Sequence, residues 1–293
     1  MTDTDNDYLY RFVFEQFGVR GEFVCLGASW QAVRDRHDYP LLVEAQLGKA
    51  LTSVLLLSGT IKFKGSLILQ LQGDGRVQAL VAQATEQRTI RGMARFDEAL
   101  RDGQAIDGEA LLGQARLVLT AESPKGERYQ GIVPVDGGDV ASAVEGYFVQ
   151  SEQLPTRLWL AADAQHAAGL FLQRLPGTQG EDEHWQRVCM LADTLKDEEL
   201  LNLDARQLLR RLFHEEDLRL FEPEPVAFRC SCSRERIGDA LASLGEGEVA
   251  QMLEEMGSIE VDCEFCNAHY AFDTVDAAAL FAGLASDTPG KVQ

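Results

Sequence analysis

The chain is short of positive charge. Its 293 residues include 27 lysine and arginine residues against 47 aspartate and glutamate residues, which gives a net charge of −20. Because such a surface repels a phosphate backbone, the composition argues against nucleic-acid binding. The net charge favours solubility instead, and a hydrophobic content of 45% is ample for a core.

Signals that direct a chain into or across a membrane are also missing. Residues 1–7 lack the basic and then apolar pattern of a secretory signal, and no run approaches the roughly 18 apolar residues of a membrane span. We therefore expect a cytoplasmic protein with no membrane partner. In that reducing compartment, clustered cysteines indicate metal binding or redox sensing and not a disulfide framework.

Motifs for nucleotide-driven work and for hydrolysis are absent as well. No phosphate-binding G-x-x-x-x-G-K-S/T sequence occurs, so the sequence offers no nucleotide-binding motif for an ATP-driven cycle. The segment His214-Glu215-Glu216 lacks the second histidine of a metalloprotease motif, and we interpret it as a partly exposed helix end. We expect no enzymatic activity and assign no catalytic residue.

Residues 1–176 predict an α+β domain. The apolar segment between Pro40 and Ser58 covers nearly every side of a helix, which indicates a helix buried in the domain. Hairpins are predicted around the turns at residues 73–75 and 124–126. At the first turn, apolar residues alternate on both sides: Leu67, Leu69 and Leu71 before it, and Val77, Ala79 and Val81 after it.

Residues 177–229 predict a charged helical linker. This stretch has thirteen acidic and seven basic residues, and its apolar residues keep helical spacing on two short helices, the second capped by Asp204. Short amphipathic helices owe most of their stability to what they dock against. We therefore expect this linker to be metastable, so that it melts if its neighbour is lost.

Four of the six cysteines lie in residues 230–293, and they predict a zinc site. Cys230, Cys232, Cys263 and Cys266 stand as C-x-C-x30-C-x2-C, two close pairs that supply four thiolates to one tetrahedral ion. Two short helices separate the pairs, and the second pair falls at a predicted hairpin tip. Such a small module buries little, so a zinc ion, worth about 10–16 kcal/mol in small peptides, would hold it together.

The remaining cysteines fit a structural role. Cys25 falls in a predicted strand and Cys189 on an apolar helical stripe, so both are interpreted as small buried hydrophobic residues. From the residues alone, the four-cysteine site is either a permanent staple or a redox switch. Nearby arginines, Arg229, Arg234 and Arg236, are expected to add positive potential at the thiolates.

Motifs from all three stretches resemble one family, the redox-regulated thirty-three-kilodalton heat-shock chaperones of bacteria. The motifs occur in the right order along essentially the whole chain: Tyr129-Gln130-Gly131-Ile132-Val133-Pro134, Ser151-Glu152-Gln153-Leu154-Pro155-Thr156, Leu212-Phe213-His214-Glu215-Glu216, Arg229-Cys230-Ser231-Cys232-Ser233 and Cys263-Glu264-Phe265-Cys266-Asn267. The resemblance implies an ATP-independent holdase that is inactive while reduced and zinc-bound, with one zinc per chain.

The resemblance also implies how such a protein is activated. Oxidants would form the redox-active disulfides Cys230–Cys232 and Cys263–Cys266 and release the zinc. Residues 177–229 would then unfold and expose a surface for unfolding client proteins on residues 1–176, with a homodimer as the active form and hand-off to ATP-dependent foldases afterwards. A thiolate, unlike a thiol, attacks peroxide, so a zinc site keeps reactive sulfurs ready.

Two other functions remain open at this point. A constitutive zinc-stapled adaptor would bind a fixed partner and would not respond to oxidants. A thiol oxidoreductase would use Cys263-Glu264-Phe265-Cys266, but that pair ends a predicted hairpin, whereas a thioredoxin-like motif lies between a strand and a helix. Oxidising the protein and testing it for suppression of client aggregation separates the holdase from the adaptor.

Overall fold

The computed structural model describes residues 7–102, 111–136, 139–176 and 181–286. The chain divides into two compact units, Met1–Arg229 and Cys230–Gln293. The acidic N-terminal residues 1–6 and the predicted start of the linker at Gly177 lie outside the described residues. The predicted α+β class is confirmed: both units combine helices with antiparallel strands.

Strands predominate up to Arg174, and helices predominate from Glu181 onward. The strands are β1 (Tyr8–Phe14), β2 (Val19–Leu26), β3 (Ser66–Gly73), β4 (Val77–Thr85), β5 (Thr89–Phe96), β6 (Gln114–Glu122), β7 (Arg128–Asp136), β8 (Thr156–Ala162), β9 (Ala167–Arg174), β10 (Leu218–Leu220), β11 (Glu224–Pro225), β12 (Ala227–Phe228), β13 (Ile259–Asp262) and β14 (His269–Phe272). The helices are α1 (Ala28–Arg34), α2 (Leu41–Thr60), α3 (Val140–Tyr147), α4 (Glu181–Ala192), α5 (Asp197–Asn202), α6 (Ala205–Phe213), α7 (Arg234–Leu244), α8 (Glu246–Met256) and α9 (Thr274–Ser286).

Two six-stranded sheets form the framework of the first unit. In the first sheet the strand order is β10-β1-β2-β9-β8, with β11 also pairing with β1. In the second sheet it is β12-β5-β4-β3-β6-β7. Every described pair is antiparallel except β12 with β5. Both predicted hairpins are confirmed, as β3–β4 and β6–β7.

Helix α2 contacts strands of both sheets and is the centre of the larger core. It is apolar on nearly every side, as its sequence indicates, and Gly48 lets it approach β8 and β9 closely, since a Cβ there would lie 2.6 Å from the Ala162 Cβ. Among the described residues, α2 is long and apolar enough to cross a membrane by length and composition alone, although polar and charged residues interrupt its apolar sequence. The helix has 20 residues, and an 18-residue window within it has a mean hydropathy of 1.4. Because 72% of that window is buried inside the protein, α2 has the character of a core helix.

The inward face of β4 differs from the sequence prediction. Val77 is buried as expected, but Leu80, Ala82 and Ala84 are buried further along, whereas Ala79 and Val81 are half-buried. The pairing of β4 with β5 shifts register between Val77 and Ala79. Such a bulge inserts one extra residue, so every later side chain changes face.

The linker helices α4, α5 and α6 pack on the first sheet. They share one apolar cluster with that sheet. We call the sheet's side of this cluster the covered face: Phe12, Phe14, Phe17, Phe23, Leu170 and Leu172. The helices contribute Val188, Ala192, Leu200, Leu201, Ala205, Leu208, Leu209, Leu212 and Phe213. The linker is therefore better packed than its charge density suggests.

Local sequence explains where the last linker helix begins and how its chain continues. The Asp204 carboxylate accepts from the Gln207 N–H at 2.8 Å, and the Gln207 amide accepts in return from the Asp204 N–H, so the predicted cap is confirmed as a capping box. After α6, the chain adds β10 and β11 to the edge of β1 and then β12 to β5. These additions pair residues far apart in sequence.

The second unit has a small core of its own. Helices α7, α8 and α9 surround the β13–β14 hairpin, with Leu241, Val249, Leu253, Ile259, Phe272 and Ala277 buried between them. Helix α9 is absent from the sequence prediction. Its signal was present: the Asp273 carboxylate accepts from the Asp276 N–H, and the Asp276 carboxylate accepts from the Asp273 N–H, a reciprocal cap with aspartate at both positions.

Candidate metal centre

Two turns of the second unit bring the four predicted cysteines together. Cys230 and Cys232 lie directly before α7, which begins after the Ser233 cap. Cys263 and Cys266 lie in the turn between β13 and β14. That turn is closed by backbone hydrogen bonds, the Asn267 N–H donating to the Cys263 carbonyl at 2.7 Å.

The four sulfur atoms form one cluster. All lie within 4.8 Å of one another, with 3.7 Å between the sulfurs of Cys230 and Cys263 and 3.3 Å between those of Cys232 and Cys266. A tetrahedral site with metal–sulfur bonds of about 2.3 Å has sulfur–sulfur edges of about 3.8 Å. The cluster therefore has the dimensions of a closed four-sulfur site and could hold a metal ion.

Burial opposes charge on these thiols when no cation accompanies them. It raises the pKa of Cys263 above its ordinary value, and it raises the pKa of Cys266 to about 12. Thiols with raised pKa values stay protonated at neutral pH, whereas a metal ligand must be a thiolate. A bound cation would supply the positive charge that holds all four sulfurs deprotonated.

Tyr270 is a member of the site that the sequence analysis did not assign. Its hydroxyl donates a hydrogen bond to the Cys232 sulfur at 3.2 Å. This bond raises the pKa of Tyr270 to about 12, so the hydroxyl keeps its proton and remains a donor to sulfur. The sequence signal was weak, because alternation along β14 gives no sign that the Tyr270 hydroxyl reaches a sulfur.

Two of the neighbouring arginines bind groups other than the sulfurs, and the positive potential expected from them stays a prediction. The Arg234 guanidinium is paired with Asp276 at 2.7 Å and lies over the Phe272 ring. Arg236 donates to the Ser231 carbonyl at 2.9 Å and to the Ser231 hydroxyl at 2.8 Å. Arg236 therefore holds the residue between the first two cysteines in place.

Residues outside the cluster are engaged elsewhere. His269 bonds to the Asp262 carboxylate at 2.8 Å through Nδ1. Cys25 in β2 donates weakly to the Leu201 carbonyl at 3.7 Å, and Cys189 is buried on α4. Burial raises the pKa of each of these two thiols to about 12. Both therefore lack the thiolate character of a sensor.

The predicted helix end at His214-Glu215-Glu216 has no metal-binding geometry among the described residues. His214 is the exposed residue that ends α6. The Arg187 guanidinium lies 2.6 Å from a carboxylate oxygen of Glu216 and 3.7 Å from one of Glu215. The segment is thus a salt-bridged helix terminus.

Comparisons with known proteins agree along the whole chain. A family model described as Hsp33 protein matches residues 7–273. The 33 kDa chaperonin of Nitrosococcus oceani is 54% identical over 277 residues, covering 94% of this chain and 95% of that protein. The 33 kDa chaperonin of Ectopseudomonas mendocina is 46% identical over 294 residues, covering 98% of this chain and 99% of that protein.

A solved structure shows the same fold. The crystal structure of the 33 kDa chaperonin (heat shock protein 33 homolog) from Thermotoga maritima superimposes with a TM-score of 0.81 at 25% sequence identity. The alignment covers 96% of this chain and 99% of that one. On the family match, the identity of these relatives and the shared fold, the chain belongs to the Hsp33 family of chaperones.

Proposed function

We propose that this chaperone is a redox-regulated, ATP-independent holdase of the cytoplasm, with no catalytic activity of its own. The observation that carries the proposal is the cluster of four sulfurs, which joins the two turns of a module with a small core. Anything that removes the sulfurs from a shared ion also removes a main support of that module.

Zinc is the ion that this donor set selects. Four thiolates in a tetrahedral arrangement suit Zn²⁺, and Cys230, Cys232, Cys263 and Cys266 would hold one ion per chain. When bound, the ion keeps the four sulfurs deprotonated at neutral pH and so supplies nucleophilic thiolates. Tyr270 would orient and stabilise the Cys232 sulfur through its hydrogen bond.

Oxidation by hydrogen peroxide would proceed in two steps within each pair. A thiolate sulfur first attacks one peroxide oxygen, so that an S–O bond forms, the O–O bond breaks and hydroxide leaves. The neighbouring thiolate then attacks the sulfenic sulfur: an S–S bond forms, the S–O bond breaks and a second hydroxide leaves. Two electrons pass from sulfur to peroxide, and both hydroxides become water by taking up protons.

The disulfides expected from these steps are Cys230–Cys232 and Cys263–Cys266. A disulfide sulfur is a poor metal ligand, so the ion would leave and the second unit would lose its support. Strand β12 ends only two residues before Cys230. We infer that unfolding of the module releases this end of the linker and lowers the barrier to undocking of β10–β12 and α4–α6.

Undocking would expose the covered face to unfolding client proteins. Its aromatic side chains are packed against α6, with the Phe213 ring 5.1 Å from Phe14 and 6.4 Å from Phe12. An apolar surface of this kind binds non-native chains, which expose apolar segments of many sequences. We infer that the active form is a homodimer and that clients pass to ATP-dependent foldases afterwards.

One experiment tests the core of this function. Purified, zinc-loaded protein is oxidised with hydrogen peroxide, released zinc is measured with a chromogenic chelator, and suppression of light scattering by a heat-unfolding client is followed. We expect zinc release and suppression to appear together, and Cys25→Ser/Cys189→Ser protein to behave like the wild type. Oxidised protein that releases zinc but leaves client aggregation unchanged would contradict the holdase and favour a constitutive adaptor.

A further inference from the structure

A groove lies between α6 and β10 of the linker. Its volume is about 270 Å³. Its lining is mixed and consists of Arg206, Leu209, Arg210, Phe213, His214, Glu216, Leu218 and Leu220. The apolar members form a floor that continues into the cluster beneath α6, whereas the arginines are exposed.

The backbone of β10 has a free edge at this groove. β10 is the last strand of its sheet among the described strands, and it pairs with β1 only. The Phe221 N–H donates to the Arg11 carbonyl, and the Glu15 N–H donates to the Asp217 carbonyl. The backbone N–H and C=O groups of the odd-numbered residues in this segment therefore point toward β1. Because the direction of the backbone N–H and C=O groups alternates along a strand, those of Leu218 and Leu220 point away from β1.

Unpaired cations lie beside this edge in an otherwise acidic chain. Arg206 and Arg210 are four residues apart, so they follow one another along α6. The described residues provide no acidic partner for Arg206 or Arg210, whereas Arg211 on the same helix is paired with Glu199 at 2.8 Å. Glu216 is paired with Arg187. The groove thus presents positive charge that the fold leaves unneutralised.

We propose that this groove binds an extended peptide segment of another protein by adding it as a strand to β10. The peptide carries an apolar residue and acidic residues two and four positions further on, which puts all three on one face of the strand. The apolar side chain lies on Leu209, Phe213, Leu218 and Leu220. The carboxylates bind Arg206 and Arg210, and the peptide backbone bonds to Leu218 and Leu220.

A peptide bound in this groove would also oppose activation of the protein by oxidants. It exists only while α6 and β10 are docked on the first sheet, so a bound peptide stabilises the covered form and opposes undocking. That consequence rests on the proposed function, but peptide binding itself does not. Binding is therefore tested on the reduced, zinc-loaded full chain, where failure of the redox mechanism has no influence on the result.

The probe is a fluorescein-labelled, acetylated heptapeptide of sequence TITETEG, and binding is followed by fluorescence anisotropy. We expect the Arg206→Glu/Arg210→Glu variant to bind at least about tenfold more weakly, because charge-assisted hydrogen bonds are lost. Arg116→Glu/Arg128→Glu, on the other sheet, changes the net charge equally and should stay within about twofold of the wild type because screening limits long-range effects.

Two further peptides test the strand pairing without altering the protein. The neutral peptide TITQTQG should bind at least about tenfold more weakly than the acidic one for the same electrostatic reason. A copy of the acidic peptide with N-methyl groups on the residues that pair with β10 should lose binding, because it cannot donate to the edge. Equal affinity for the N-methylated and unmodified peptides, or for the wild type and Arg206→Glu/Arg210→Glu, would overturn the proposal, as would absence of binding at millimolar peptide.

Discussion

Glu22 is a carboxyl group enclosed in the first unit. It lies on β2 with 2% of its surface exposed, and its Oε1 accepts from the Thr60 hydroxyl at 3.0 Å. Its other oxygen is buried without a described hydrogen-bond partner, close to Gly59 on α2. Burial, the largest cause, raises the pKa of Glu22 from 4.5 to about 8.

This pKa makes stability depend on pH in a defined direction. The unfolded chain releases the Glu22 proton near pH 4.5 and the folded chain only near pH 8, so the free energy of unfolding falls as pH rises through that window. We expect Glu22→Gln to remove this fall, with a gain over the wild type on the order of a few kcal/mol at pH 8. Urea unfolding measured from pH 5 to pH 8.5 checks it.

Glu86→Gln is the matched control for Glu22→Gln, because Glu86 is exposed on the turn after β4. The free energy of unfolding of the Glu86→Gln variant should depend on pH in the same way as that of the wild type. Parallel profiles for the wild type and Glu22→Gln would mean that Glu22 is ionised in the folded protein at neutral pH.

Tyr270 provides a second prediction for a single residue. Removing its hydroxyl with Tyr270→Phe leaves the ring in place but takes away the hydrogen bond to the Cys232 sulfur. Partners of metal ligands are worth about 10- to 100-fold in metal affinity, so we expect zinc binding to weaken by at least about tenfold. Competition with a chromogenic chelator measures the affinity.

Tyr129→Phe is the control for the tyrosine experiment, because Tyr129 is 70% exposed on β7 in the other unit. It should bind zinc like the wild type. If Tyr270→Phe also retains wild-type affinity, the hydroxyl has no part in holding the metal, although the four cysteines would still form the site.

The candidate site shows what a sequence can and cannot predict about single residues. The spacing of the cysteines was sufficient to group them, because close pairs of thiols on turns have few other uses. Tyr270 was missed because its contact depends on the register of β13 and β14, in which Val261 faces Tyr270. The bond from Arg236 to Ser231 was missed as well, because it depends on the position of Arg236 in the first turn of α7.

At the scale of elements, the linker helices determine whether the covered face is accessible. Leu212 and Phe213 on α6 are 2% and 3% exposed, so a charge at either position would be buried without a partner. Such burial costs several kcal/mol. We expect Leu212→Glu and Phe213→Asp to undock the linker and to suppress client aggregation while the protein is reduced and zinc-loaded.

The control for these linker variants lies on α4. Met190 is 64% exposed, so Met190→Glu adds the same charge to the linker without disturbing its packing and should leave the reduced protein inactive. Zinc content and binding of a dye to apolar surface are measured in parallel. A loosened, zinc-loaded Leu212→Glu protein that is inert toward several clients would contradict masking by the linker as the basis of inactivity.

Elements were predictable where the pattern is local. Helix α2 and both hairpins follow from apolar periodicity and turn residues. The prediction of which β4 residues face the core was wrong after Val77. A bulge there changes the face of each later residue, and the apolar periodicity of the sequence does not reveal it. The pairing of β10 with β1 joins residues about two hundred positions apart, and nothing local in the sequence encodes such a contact.

At the scale of the whole molecule, the two units differ in how they are stabilised. The first has a core built around α2 and a second cluster shared with the linker. Among its described residues, the second has six buried apolar residues in its core cluster and the four sulfurs. If the four sulfurs hold zinc as proposed, removal of the ion would cost about 10–16 kcal/mol by analogy with small peptides, which is more stabilisation than so small a core can supply.

Hydrogen exchange measured on reduced and oxidised protein should therefore separate three regions. We expect oxidation to increase amide exchange throughout residues 230–286, where the proposed zinc would be the main support. Residues 181–228 should follow, because their helices and added strands depend on docking. The α2 core and strands β2–β9 should keep their protection, since neither the sulfurs nor the linker is needed for their pairing.

The pattern within the linker carries the most information about the mechanism. If undocking follows module unfolding, exchange at β12 and β10 should rise in oxidised wild type but not in a sample oxidised and then reduced with zinc restored. The Phe213→Asp variant, reduced and zinc-loaded, should show the same rise in residues 181–228 while residues 230–286 stay protected. Equal amide protection of residues 181–228 in reduced and oxidised wild type would mean that unfolding of the second unit does not undock the linker. Client binding would then have to arise on the unfolded second unit itself.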